Sequence, residues 1–182
     1  MSRIDELRTA LGGAHPVAAT KVKDHLEPLV RAFVEQSPFA VMASSNADGR
    51  CDASPRGGLP GFIKVLDDRT LLIPDVGGNR LFRSYQNFES NPHAGLLFMI
   101  PGMDVTARVN GRVRVVERSE LEAMGVAPEV LSPDANSGLV QGLVLAIEEA
   151  YLHCPRSFRF AGLWAPERIA ANAGRALKDL LV

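Results

Sequence analysis

Two cysteines, one tryptophan, two tyrosines and four histidines are all that the 182 residues contain of these types. Cys51 and Cys154 stand far apart and no CxxC pair occurs, which excludes a disulfide framework and a thiolate zinc or redox motif. They read as free thiols in a reducing compartment. His15, His25, His93 and His153 have no metal-ligand spacing. No stretch approaches the ~20 apolar residues of a membrane span. The segment Met1 to His15 lacks the apolar run and cleavage site of a signal peptide, so a cytoplasmic location is expected. The net charge of −1 provides no global field for nucleic acid or anionic lipid. There is no G-x-S-x-G elbow, no Walker loop, no G-x-G-x-x-G, and no obvious acid/base pair among the scattered carboxylates. A chain with no evident nucleophile and no metal set leaves the chemistry to a cofactor.

What is present is an ordinary globular balance, 46% apolar and 23% charged. Arg3 to Leu11 suits a short helix stopped by Gly12-Gly13, and the spacing of Val22, Leu26, Leu29, Val30, Phe33 and Val34 predicts a helix over 21–36, starting or bending at Pro28. The periodicity then changes. Strands are expected at 39–45, 50–54, 62–66 and 70–73, with Asn46-Ala-Asp-Gly49 as a hairpin turn and Pro55 to Gly61 irregular. A helix is expected from Asn79 to about Phe88, then strands over 93–100 and 105–115. In the latter, Val105, Ala107, Val109, Val113 and Val115 face one way, and Thr106, Arg108, Asn110, Arg112 and Arg114 the other. Gly111 marks a bulge or a close approach. Ser119 and Glu122 are placed as a capping box for a short helix. Pro128 to Gly138 reads as loop, or loop with a helical turn, and Leu139 to Cys154 as a last long strand, with a helix as the alternative for the latter. Glu167 to Leu181 reads as an amphipathic helix with Ile169, Ala173, Leu177 and Leu180 on one side.

Hairpin-connected strands at this spacing argue for a mainly β chain with α: an antiparallel barrel with flanking helices, not a doubly wound parallel sheet. The expected division is a helical segment at 1–36, a barrel domain at 37–164 and a helical tail at 165–182.

Four stretches can carry chemistry. Asp52-Ala-Ser-Pro-Arg-Gly57 leaves Ser54 and Arg56 near a strand end, with Gly57 permitting close backbone approach; an ordinary turn is the alternative. Asp75-Val-Gly-Gly-Asn-Arg80 is a Gly-rich loop feeding a helix, where free N–H groups and the dipole favour an anion. Asn79 and Arg80 add donors, and a first-turn cation such as Arg80 opposes the dipole unless an anion lies between. The polar face of Thr106, Arg108 and Asn110 meets solvent, a partner subunit or a cofactor. Finally, Arg159 and Trp164 in HCPRSFRFAGLW suit a flat or anionic ligand, or plug a barrel end.

The stretches PFAVMASSNADGRCDASPRG, TLLIPDVGGNRLFRSYQNFESNPHAGLLFMIPG and VTARVNGRVRVV together resemble the pyridoxamine 5′-phosphate oxidase-like FMN-binding split-barrel superfamily, and in particular its bacterial FMN-dependent flavoprotein branch. The resemblance implies a split β-barrel, FMN as cofactor, and a homodimer with the site between subunits. It implies Asn79 and Arg80 as phosphate ligands, Ser54 and Arg56 beside the flavin, Thr106 near a flavin-contacting position, and Arg159 and Trp164 contributed in trans. The implied activity is oxidoreduction of a small molecule by hydride transfer through flavin N5. A non-catalytic flavin carrier, and use of F420 or haem on the same fold, are the alternatives. The Arg-Lys pair of true pyridoxamine phosphate oxidases reads Asn79-Arg80 here, and their C-terminal vitamin-binding pattern is not present in that form. The expected substrate is therefore not the vitamin phosphate.

Overall fold

The computed structural model describes residues 2–13, 20–78 and 80–180. Seven strands form one antiparallel sheet in the order β2-β1-β5-β6-β7-β4-β3. They are β1 (Phe39–Ser45), β2 (Cys51–Gly57), β3 (Lys64–Val65), β4 (Thr70–Val76), β5 (His93–Met99), β6 (Thr106–Glu117) and β7 (Leu139–His153). The helices among the described residues are α1 (Arg3–Leu11), α2 (Pro28–Gln36), α3 (Arg83–Ser90), α4 (Arg118–Ala123), α5 (Arg156–Ala161) and α6 (Pro166–Asn172), with a 3₁₀ turn at Leu177–Leu180. No described helix is long and apolar enough to cross a membrane. The sheet curls into the expected antiparallel split barrel around Met42, Leu96, Phe98, Val109, Leu143 and Leu145, all nearly inaccessible to solvent.

Most boundaries follow from local chemistry. Pro28 sits in the first turn of α2, where its missing N–H costs nothing, and the helix starts there. Val30, Phe33 and Val34 then face the barrel core. The hairpin between β1 and β2 closes at Asn46–Gly49 with a Gly49 N–H to Asn46 carbonyl bond of 3.1 Å, and Gly49 takes the left-handed φ of +80°. β2 runs three residues past the expected end, through Pro55. Its place at the edge of the sheet explains this, because an edge residue needs no second ladder bond. The third strand, expected over 62–66, is only Lys64–Val65.

Other expectations are corrected. In β6 the register shifts between Asn110 and Gly111, and a Cβ on Gly111 would stand 2.1 Å from the Ala146 carbonyl, so both readings of that glycine hold. Toward the end of β6, Val116 is buried and Val115 is exposed, the reverse of the simple alternation. The Ser119/Glu122 capping box does not form. α4 begins at Arg118, whose Nε binds Glu122 at 2.7 Å. The tail is not one helix: α6 ends at Asn172, and Gly174 follows at a φ of +78°. Ile169 and Leu177 are exposed, so the expected apolar side covers no core. The side chain of Leu180, and Leu181, lie outside the described residues.

Candidate functional site

The edge strand β2 and the end of β4, beyond its short pairing with the other edge strand β3, are not joined by backbone pairing. Side chains span the split instead. Arg56 Nη1 donates to Asp75 Oδ1 at 2.6 Å, with both side chains largely covered. On the same inward face of β2, Ser54 and Ser84 hydroxyls meet at 3.3 Å, and Ser84 Oγ donates to Asp52 at 3.1 Å. Ser84 belongs to α3 and is buried, so these bonds tie that helix across the split.

The start of α3 is the main departure from the sequence reading. Arg80 and Phe82 both have left-handed φ, +58° and +50°, which a right-handed helix cannot contain. The helix therefore begins at Arg83, four residues later than expected. Arg80 lies in the preceding loop, and Arg83 is the first-turn cation. Phe82, the N-cap, makes no side-chain cap, so among the described residues the first N–H groups have no side-chain partner and are open to water or a ligand. Neither Arg80 nor Arg83 has a hydrogen-bonding or ion-pair partner among the described residues, and both are exposed. Asn79 lies outside the described residues.

These parts enclose an open cleft of about 360 Å³ between β2, the end of β4 and the loop into α3. Ser54, Arg56 and Arg80 line it, as do Asp52, Asp75, Arg83, Ser84 and Tyr85. Arg56 cancels Asp75, leaving the local balance of Asp52 against Arg80 and Arg83 positive. The Tyr85 hydroxyl is buried without a hydrogen-bond partner, although Asp75 and Gln141 lie nearby. Burial, reinforced by the Asp75 charge, raises its pKa far above the usual phenol value. Arg56 Nε is likewise buried and unpaired.

The remaining sequence candidates lie elsewhere. Gly57 lines a second cavity on the other side of the Arg56–Asp75 bridge. Arg108 and Asn110 point to the outer face of the sheet. Arg108 shares a row with Leu97, Val41 and Pro55, and Asn110 with Gly95, Ala43 and Ala53. Arg108 donates to the Tyr151 hydroxyl at 3.0 Å and Asn110 to Glu149 at 2.8 Å. Thr106, paired with His153, is 3% exposed. Arg159 binds Asp104 at 3.1 Å, and Trp164 Nε1 donates to the Met103 carbonyl at 3.0 Å, which ties both to the turn between β5 and β6. Sequence reasoning missed Arg83, Ser84 and Tyr85. Arg83 was readable as a second cation three residues after Arg80; Ser84 and Tyr85 carried no such signal.

The family model for pyridoxamine 5′-phosphate oxidase matches residues 26–154, well over half of the chain. The chain belongs to the pyridoxamine 5′-phosphate oxidase-like family. One solved structure agrees on the fold. A candidate pyridoxamine 5′-phosphate oxidase from Lactobacillus delbrueckii is 17% identical, covering 72% of this chain and 99% of its own, with a TM-score of 0.53. A pyridoxamine 5′-phosphate oxidase-related, FMN-binding protein from Nostoc punctiforme is 13% identical over 71% of this chain and 85% of its own, with a TM-score of 0.44. The haem storage protein HutZ of Vibrio cholerae is 17% identical over 70% and 93%, also with a TM-score of 0.44. At 17% identity the Lactobacillus structure shows the fold alone, and the other two likenesses are weaker still. Among curated proteins, none matches the chain. In this member of the pyridoxamine 5′-phosphate oxidase-like family, the inner cleft holds Ser54, Arg56 and Arg80, while Thr106, Arg108 and Asn110 stand on the opposite side of the sheet.

Proposed function

We propose that this chain is an FMN-binding oxidoreductase whose cleft between β2 and the β4–α3 loop grips the cofactor by its phosphate. The observation that carries this reading is the pair of unpartnered guanidiniums, Arg80 and Arg83, beside the uncapped start of α3. Two cations and free helix N–H groups suit a dianion. The donor set therefore fits FMN, and the cleft volume of about 360 Å³ lies within the range of about 300–1,000 Å³ typical of ligand sites. Ser54 and Ser84 offer hydroxyls to the ligand's polar chain, and Asp52 fixes the Ser84 proton. Bound FMN would supply hydride transfer at its ring. The described lining holds no His, Cys or Met as an axial haem ligand, and its one tyrosine, Tyr85, has a buried hydroxyl whose raised pKa disfavours the phenolate a haem iron needs, which favours FMN over haem.

The outer sheet face supports a homodimer. Phe39, Val41, Ala43, Ala53, Pro55, Leu97 and Met99 share that face by register, with Ala53 and Pro55 exposed and Phe39 at 36% exposure. A contiguous apolar sheet face of this kind marks an interface. Arg108 and Asn110 stand within it, so pairing two copies would bring them to the partner's side of the site, and Arg159 and Trp164 are the candidates for a contribution in trans. Two free cysteines, both exposed, fit a cytoplasmic setting.

The purified protein's absorption spectrum, before and after FMN addition, tests the reading. Flavin bands that shift on binding are expected. A colourless protein that leaves added FMN unperturbed, or one with a Soret band or an F420 profile, would reject it. Reoxidation of photoreduced holoprotein by acceptors other than oxygen separates an enzyme from a carrier.

A further inference from the structure

Asp52, Ser54 and Ser84 all line the cleft and form one hydrogen-bonded chain in its wall. Asp52 and Ser54 alternate along the half-buried face of β2, and Ser84 stands in the first turn of α3. Ser84 Oγ donates to Asp52 Oδ2 at 3.1 Å, and the Ser54 and Ser84 hydroxyls lie 3.3 Å apart.

The direction of the chain is set at its Asp52 end. A carboxylate accepts hydrogen bonds and donates none, and a hydroxyl has a single proton. The Ser84 proton goes to Asp52, so Ser84 meets Ser54 only as an acceptor. The Ser54 proton therefore goes to Ser84. Ser54 turns nothing but lone pairs toward the cleft. That wall repels a phosphate or carbonyl oxygen and takes an O–H or N–H.

The start of α3 asks for the reverse, because Arg80 and Arg83 carry donors with no partner. Ser84 directly follows Arg83, so Ser54 stands one hydrogen bond away from the residues that attract the anion. The part of a ligand that reaches Ser54 is the chain beside its phosphate, not its far end.

We infer that Asp52 determines the specificity of the cleft: acting through Ser84, it makes Ser54 an obligate acceptor and so selects a phosphate ester whose adjoining chain carries a free hydroxyl. Asp52 is a positioning residue, and Ser54 is the one that meets the ligand. This deepens the proposed function and rests on it for the phosphate.

The test compares FMN with its phosphopentyl analogue, in which a plain pentyl chain joins the ring to the phosphate and the chain hydroxyls are gone. Both are titrated by flavin fluorescence. The wild type is expected to bind FMN about tenfold more tightly than the analogue, the scale of one hydrogen bond. Ser54→Ala should bring the two affinities within about twofold by weakening FMN alone. Asp52→Asn releases the direction of the chain and should cut the preference at least about threefold. In a Ser84→Ala background, Asp52→Asn should change nothing further, because Asp52 acts only through that hydroxyl. The ratio of the two affinities does not respond to a general loss of stability, nor to the charge removed at Asp52, since both ligands carry the ring and the phosphate.

Equal binding of the two ligands by the wild type would overturn the inference. So would equal weakening of both by Ser54→Ala, which would set Ser54 against the ring, or an Asp52→Asn effect that survives the loss of Ser84. Variants that unfold at lower urea yet keep the wild-type preference would leave the chain as a strut across the split and nothing more. The wild type and Ser54→Ala decide the matter even where Ser84→Ala fails to fold. If neither flavin binds, the proposed cofactor falls and this inference with it; if both bind alike, this inference falls alone.

Discussion

Tyr85→Phe is expected to stabilise the protein. The phenol hydroxyl is buried with no hydrogen-bond partner, and leaving such a group unsatisfied costs about 1–3 kcal/mol. The ring itself is well placed, in edge contacts of 6.2 Å with both Phe82 and Phe88, and phenylalanine keeps them. Removing the hydroxyl leaves a small void that returns part of the gain, so a net rise of about 0.5–2 kcal/mol is expected. In a chain of 182 residues each kcal/mol raises Tm by about 2–4 °C. The effect has a pH signature. Burial raises the Tyr85 pKa in the folded state, so the unfolded chain ionises first, near pH ~10. The contribution of the protonated phenol to stability is intact below that pH and is lost as pH rises toward the folded value. By pH ~11 the wild type should have lost about 1.4 kcal/mol more than the variant. Urea unfolding of both proteins, FMN-free, at pH 7 and in the alkaline range measures this. A variant less stable than wild type by more than about 1 kcal/mol at pH 7, or parallel alkaline losses in the two proteins, would refute the orphaned hydroxyl.

Asp75→Ala strands the Arg56 guanidinium, 18% exposed, across the split, and a loss of about 1.5–3 kcal/mol by urea unfolding is expected, the scale of a hydrogen bond to a charged group; Arg56→Met in that background should recover part of it. Gly111→Ala places a methyl 2.1 Å from the Ala146 backbone carbonyl and should prevent normal folding, read as loss of cooperative unfolding. Ala43→Arg puts a charge at the centre of the outer sheet face; under the proposed dimer, sedimentation is expected to show two copies associated for the wild type and a monomer for the variant. An unchanged sedimentation profile would count against that interface.

Much of the fold was legible because local signals decided it. Phe39 to Ser45, the Asn46–Gly49 turn and the long β7 followed from β-branched runs and turn residues. Pro28 fixed the start of α2 unaided. The start of α3 was not legible, because Arg80 and Phe82 adopt the left-handed region without the glycine or asparagine that normally announces it. The cleft was half legible. Ser54, Arg56 and Arg80 were visible as donors near turns, but the partners that define their setting come from remote positions: Asp75 reaches Arg56, and Ser84 reaches Ser54, only once the sheet has curled. Arg108 and Asn110 were read from strand alternation alone, which assigns a shared face but cannot say which compartment that face meets.

The central claim is that Arg80 and Arg83 hold a phosphate, and comparison of FMN with riboflavin tests it most directly. The two ligands differ only in the phosphate. Flavin fluorescence titration of the wild type should show FMN bound at least about tenfold more tightly than riboflavin. The double substitution Arg80→Ala and Arg83→Ala should bring the two affinities together by weakening FMN alone. Equal affinities in the wild type, or an FMN preference that survives the loss of both arginines, would contradict the account.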